Sequence, residues 1–298
     1  MYYHRCLLLP LLLTDGVHKR GLIFITADHR LTYPSTGLDI IDDVKALFAF
    51  LAKPDFSEKH LPSTLSLDAS RIAIMGLSGG GYAARVAGLY AQPRPRAVFS
   101  LYGMGGEFLS DHWIAEKTKP MEWPGAEHAT AETLAHLLAN PPGVASELPL
   151  RIKSLETFSA ADDEGRTNLF MYWWRTGELL DYVLNEPGLS AKLRALPPAE
   201  RLAAVPEHLR PFVPEANIDA SFPPTVLVHG LADPIVPLSE SQATHDRLKE
   251  LGVRSELLTV PDALHGLFLD LTTMRLAPGA EEAWERAIDF LAEELGRT

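Results

Sequence analysis

Residues 71–85 read R-I-A-I-M-G-L-S-G-G-G-Y-A-A-R, and few folds accept that order of properties. Ile72, Ala73, Ile74 and Met75 are apolar without alternation, as in a strand covered on both faces. Gly76-Leu77-Ser78-Gly79-Gly80 then matches G-x-S-x-G, and residues 82–90 continue as an Ala-rich helical stretch. A strand, a glycine-flanked serine and a helix form the context that lifts a serine hydroxyl above the carboxyl edge of a sheet. The tight turn puts Ser78 in a strained backbone region, and its small neighbours let strand and helix converge. Its hydroxyl then faces the positive end of the helix. A glycine-rich helix entry can instead hold phosphate, but no lysine follows these glycines and G-x-G-x-x-G is absent.

A serine nucleophile needs a base and an orienting acid, which in this context follow in the order Ser, Asp/Glu, His. Residues 225–230, T-V-L-V-H-G, form a second apolar strand, and Asp233 lies in the loop that leaves it. Residues 255–260 alternate like a strand near a sheet edge, and His265 lies just beyond them. Ser78, Asp233 and His265 thus each follow a strand on one edge of the sheet. Asp262 and Asp270 flank His265 but do not leave a neighbouring strand, so turn capping is their expected role. His229 at a strand end and His112, which begins the segment after residue 102, read as structural. There is no H-E-x-x-H and no Cys/His cluster, so neither a metal nor a cofactor is expected.

On these residues the chain resembles the α/β-hydrolase superfamily, and more narrowly the hormone-sensitive-lipase-like esterases. Ala27-Asp28-His29-Arg30-Leu31 looks like that family's A-D-Y-R-L segment, and residues 39–51 look like its next helix. The resemblance covers roughly residues 22–102 and 222–295 and implies hydrolysis of carboxylic esters. It also implies an oxyanion hole shared between the N–H of Gly79 and an H-G-G-G segment. Here Met1-Tyr2-Tyr3-His4 looks like the approach to that segment, with His4 as its histidine, but Arg5-Cys6-Leu7-Leu8 stands where the glycines belong. The resemblance therefore implies reduced N-terminal strands, a weakened oxyanion loop and weak esterase activity. It also implies an exposed sheet edge open to pairing with a second copy as a homodimer.

A chain of 298 residues can build one α/β domain with an insertion. The fold class expected is a mostly parallel, doubly wound sheet, with core segments 1–101 and 222–298 and a helical cap over 102–221. Residues 22–27, L-I-F-I-T-A, read as a central strand, residues 39–52 as an amphipathic helix, and residues 53–69 as a polar connection. From residue 102 the pattern changes, and eleven of the 23 prolines fall between Pro120 and Pro214. That interval holds amphipathic stretches over 131–139, 168–184 and 189–196. Its aromatic run Phe170-Met171-Tyr172-Trp173-Trp174 suits either an acyl pocket or plain core packing. Leu77, Trp173 and Trp174 are the candidate pocket residues. Closing helices are expected over 239–251, capped by Ser239, and over 281–295.

A net charge of −12 argues against nucleic acid or an anionic membrane as partner. The expected partner is a small-molecule ester. One cysteine, Cys6, leaves no internal disulfide, and no apolar run approaches a membrane span. Residues 7–13 mimic the start of a signal peptide but lack a good cleavage context, so a cytoplasmic location is expected. A serine peptidase or amidase is the competing activity, with Asp162-Asp163-Glu164 as the acidic cluster able to hold a free amine. A binding protein that retains the three residues as a relic is the other alternative.

Overall fold

The computed structural model describes residues 9–118, 129–140, 143–146, 150–154, 159–162, 165–270, 273 and 275–296. Four parallel strands form its sheet: β1 (Ala73–Leu77), β2 (Ala97–Leu101), β5 (Thr225–Gly230) and β6 (Ser255–Val260), in spatial order β1-β2-β5-β6. Met75 lies beside Phe99, Phe99 beside Val226, and Val226 beside Glu256. Every residue of β2 and β5 is buried, which is why both sequences read as unbroken apolar runs.

Helices cover both faces. On one side lie α2 (Gly37–Leu51), α4 (Gly80–Tyr90) and α12 (Leu238–Glu250), with Ala84 of α4 and Leu248 of α12 in one apolar cluster. On the other side α13 (Ala280–Gly296) packs Trp284, Ile288 and Leu291 against Phe99, Leu101 and Val228. The helix α1 (Leu9–Lys19) rests on α13, where Arg20 bonds Asp289 at 2.7 Å and Glu285 at 2.8 Å. Between α2 and β1 the expected polar connection includes a short helix, α3 (Phe56–His60), held by Phe56 under Phe50.

The start of α2 shows how its sequence specifies it. Thr36 caps the helix, its Oγ1 accepting from the Asp39 N–H, while Asp39 accepts from the Thr36 N–H at 2.7 Å. Arg30 then binds Asp39 at 2.7 Å and Asp43 at 2.8 Å, tying the preceding loop to the first two helical turns.

Residues 22–27 are not a strand. They run as irregular backbone, with Ile25 exposed, and the sheet begins at β1. An apolar run becomes a central strand only where ladders satisfy both of its edges and layers cover both faces. Among the described residues no further strand lies on that side, so the run has no ladder to complete. Residues 239–251 do form a helix, but Pro237 occupies its cap position with no side-chain cap, and Ser239 sits inside the first turn.

Between β2 and β5 lie α5 (Asp111–Ile114), α6 (Ala131–Ala139), a hairpin of β3 (Leu150–Ser154) and β4 (Ser159–Asp162), and α7 (Arg166–Thr176). They are followed by α8 (Leu179–Val183), α9 (Leu189–Arg194), α10 (Pro198–Ala204) and α11 (Pro214–Asn217). The expected helix over 168–184 is broken at Gly177, which takes φ 71° and has no room for a side chain beside the Ile114 carbonyl. Trp113, Trp173, Leu180 and Phe212 of this insertion share one apolar cluster with Phe48 of α2 and Tyr82 of α4.

Several buried groups in this layer are left poorly satisfied, Glu215 among them. Glu215 has a buried carboxylate oxygen with no hydrogen-bond partner among the described residues, and burial pushes its pKa up to about 8. The unfolded chain ionises this carboxyl near 4.5, so the folded state binds the extra proton and loses stability as pH rises from about 4.5 to about 8. Glu215→Gln is therefore expected to be the more stable protein at pH 9, by about 1–3 kcal/mol, and nearly equal at pH 4. Parallel stability–pH curves in denaturant titrations would overturn this assignment.

Candidate active site

The carboxyl ends of β1, β5 and β6 carry the three residues singled out above. Ser78 leaves β1 with φ 51°, a left-handed conformation that a serine adopts only under constraint. The constraint is visible on every side. Its N–H donates to the Leu101 carbonyl at 3.0 Å, and its own carbonyl accepts from Gly81 at 2.9 Å and Met104 at 3.0 Å. A Cβ on Gly76 would sit 2.0 Å from the Gly80 carbonyl oxygen, and one on Gly81 would sit 2.4 Å from the Gly103 Cα. The glycines therefore let strand, turn and helix occupy a space that side chains would fill.

Ser78 Oγ lies 2.9 Å from His265 Nε2, and His265 Nδ1 lies 2.8 Å from Asp233 Oδ2. The imidazole is buried in a short 3-10 turn after β6, with the Tyr102 ring edge-on at 4.9 Å. The Asp233 carboxylate has no exposed side-chain surface. Its Oδ1 accepts from the N–H groups of Ile235 at 2.9 Å and Val236 at 3.0 Å, leaving Oδ2 for His265. This arrangement can pass the serine proton to Nε2 while the carboxylate holds the Nδ1–H tautomer and meets the charge that develops on the ring.

Gly79 is the cap residue before α4, and its N–H has no backbone acceptor among the described residues. His4 lies outside them. Leu77, directly before the nucleophile, is 41% exposed on this edge. Trp173 and Trp174 are both buried, Trp173 stacked on Tyr182 at 3.9 Å and Trp174 donating its Nε1–H to the His112 carbonyl at 2.6 Å. Asp262 takes φ 55° in the turn before His265, and Asp270 accepts from the Thr273 N–H at 2.6 Å.

The frame around these groups leaves little trace in the sequence. Arg85, fully buried in α4, donates to Ser100 Oγ at 3.0 Å and to the carbonyls of Gly103 and Met104 at 3.2 and 2.7 Å. Glu240, also fully buried, accepts from Gly105 and Gly106 N–H groups at 2.7 and 2.5 Å and from Trp113 Nε1 at 2.5 Å. A lone arginine within an Ala-rich helix was the available signal for the first. Tyr102 offered none. Among the described residues no group of His, Cys, Asp and Glu is placed to hold a metal, and no helix is long and apolar enough to cross a membrane.

A Ser–His–Asp constellation on the carboxyl edge of a parallel, doubly wound sheet is the arrangement of the α/β-hydrolase fold, and this chain has that fold. A sequence profile of the prolyl oligopeptidase family matches residues 200–297, the part that carries Asp233 and His265. A carboxyl esterase from the fungus Tuber melanosporum superposes with a TM-score of 0.53 at 17% identity, over 96% of this chain and 72% of the esterase. A Staphylococcus aureus protein of unknown function gives 0.56 at 17% identity, over 90% of this chain and 76% of its own. Among curated sequences, a non-reducing polyketide synthase of Emericella nidulans is 27% identical over 95% of this chain. The chain spans only 12% of that synthase's length.

The packing of the serine turn yields a direct test. Gly76→Ala is expected to cost about 1–3 kcal/mol in stability, because the added methyl must displace the Gly80 carbonyl. Equal thermal unfolding of variant and parent would show that β1 and α4 are not in the contact described.

Proposed function

We propose that this chain is a serine hydrolase of carboxylic esters with short to medium acyl groups, acting through an acyl-enzyme on Ser78. The observation that carries the reading is the pair of contacts, 2.9 Å and 2.8 Å, that links Ser78 to His265 and His265 to Asp233. Ser78 Oγ attacks the ester carbonyl as His265 takes its proton. The tetrahedral oxyanion meets the Gly79 N–H at the start of α4. His265 then protonates the departing alcohol, and a water molecule repeats the sequence to free the acid.

Leu77, exposed beside the nucleophile, offers apolar surface to the acyl group. The segment 102–221 serves in this reading as the cap that bounds the acyl space. With the Gly79 N–H as the one oxyanion donor this reading assigns, a slower enzyme is expected than with two, since a missing donor typically costs about a hundred- to a thousandfold in rate. A second reading, transfer or hydrolysis of a polyketide-type acyl group, is favoured by an alignment to a polyketide synthase that runs over 95% of the chain.

Ser78→Ala is expected to lower turnover of p-nitrophenyl butyrate by about three orders of magnitude or more and to abolish fluorophosphonate labelling, with the fold intact. Retained labelling would exclude Ser78 as nucleophile. Specificity constants across p-nitrophenyl esters are expected to fall beyond medium chain lengths. Greater turnover of an aromatic acyl thioester of N-acetylcysteamine would favour the second reading, and turnover of an aminoacyl p-nitroanilide would favour a peptidase.

A further inference from the structure

Asp233 is oriented by two N–H groups, those of Ile235 and Val236, both on its Oδ1. The carbonyls of the same two residues are each held by a histidine. His112 Nε2 lies 2.9 Å from the Ile235 carbonyl oxygen, and His229 Nε2 lies 2.8 Å from that of Val236. A carbonyl can only accept, so each imidazole must carry its proton on Nε2. The two histidines come from opposite directions: His229 from the end of β5 in the sheet, His112 from α5 in the insertion.

We propose that His112 and His229 act as positioning residues for the acid, a two-sided clamp that fixes the loop 233–236 so that Asp233 presents Oδ2 to His265. The proposal rests on the hydrolase reading of the site and adds to it a pair of groups outside the relay.

Each histidine is itself held in place, and His229 is held in the tautomer that the clamp needs. Ser241 Oγ lies 2.7 Å from His229 Nδ1, so with Nε2 protonated the hydroxyl donates to Nδ1. The His112 ring is packed against Trp113 at 4.6 Å and Trp174 at 4.9 Å. Its backbone carbonyl accepts from Trp174 Nε1 at 2.6 Å and from the Lys117 ammonium. Burial lowers the pKa of both imidazoles, which keeps them neutral and single-proton donors. Neutrality matters most at His229, whose Nε2 is also 3.6 Å from Asp233 Oδ2. A second cation there would compete with His265 for the carboxylate.

The alternative is that both histidines merely satisfy buried carbonyls. That role would lower stability when removed but would leave turnover of the folded protein unchanged. The test therefore compares His112→Phe, His112→Gln and Ser241→Ala in the full chain, with kcat, KM and the low-field proton resonance of His265 Nδ1–H as readouts. Glutamine can restore an N–H near the Nε2 position, whereas phenylalanine keeps the ring and loses the donor. Ser241→Ala frees His229 to take the other tautomer while removing a single oxygen atom.

His112→Phe is expected to lower kcat by about tenfold to a hundredfold with KM within about twofold, and His112→Gln to recover most of that loss. Ser241→Ala is expected to fall between them. The His265 resonance is expected to move upfield or broaden in His112→Phe and Ser241→Ala, and to return in His112→Gln. If His112→Phe fails to fold, Ser241→Ala carries the same comparison. Unchanged kcat and an unmoved resonance in the folded variants would overturn the clamp. A parent protein that turns over no ester, thioester or anilide but shows the resonance shifts would instead overturn the hydrolase reading and leave the clamp standing.

Discussion

The buried guanidinium of Arg85 is the contact on which the geometry of the site most depends. A charged group fully removed from water is tolerated only when its donors find acceptors. Here they reach Ser100 Oγ, the carbonyls of Gly103 and Met104, Thr244 Oγ1 and, more distantly, the Glu240 carbonyl. Burial draws the arginine pKa down to about 10 and raises that of Glu240. Arg85 thus stitches α4 to the turn that leaves β2 and to α12. Met104, held in that turn, donates its N–H to the Ser78 carbonyl. The strained serine is therefore supported from beneath by a charge, and a lysine, with one compact ammonium, could not reach this spread of acceptors.

Around that support the molecule joins its parts at the site rather than beside it. Glu240 accepts from two glycine N–H groups after β2 and from Trp113 in the insertion, while its own helix begins just past the Asp233 loop. Arg201 reaches Asp111 at 2.6 Å and the Leu109 carbonyl at 2.8 Å, fixing the entry of the insertion from α10. The insertion and the sheet accordingly share one core, with Trp113 and Phe108 packed on Phe212 and Tyr82. Movement of the insertion would disturb hydrogen bonds two steps from the acid.

What could be read from residues alone followed how local each code is. The serine turn is specified within five positions by glycines that the turn sterically requires, so strand, turn and helix were all legible. Asp233 and His265 were legible because each lies shortly after an apolar strand. Residues 22–27 misled because hydropathy reports a wish for cover and says nothing of a ladder partner. The break at Gly177 hides inside an amphipathic pattern that continues through it. The roles of His112, Arg85 and Glu240 depend on contacts across 123, 159 and 135 positions, and no window along the chain contains them. Trp173 and Trp174 were visible as an aromatic run, but their neighbours Tyr182 and His112, which decide how those rings are used, were not.

The spread of the relay along the chain bears on the order in which the molecule can assemble. Ser78 and His265 are 187 positions apart, and the insertion falls between the strands that carry them. Closing so long a loop costs entropy before any contact repays it, and parallel pairing of β2 with β5 must wait for that closure. Elements joined by short connections, such as β1 with α4 or β5 with α12, can form early. The relay joins β1 to β6 across two strands that must already be in register. The hydroxyl, imidazole and carboxylate therefore come together only as the last pairings close, and closure of the Ser78–His265 contact on refolding reports completion of the sheet rather than its beginning.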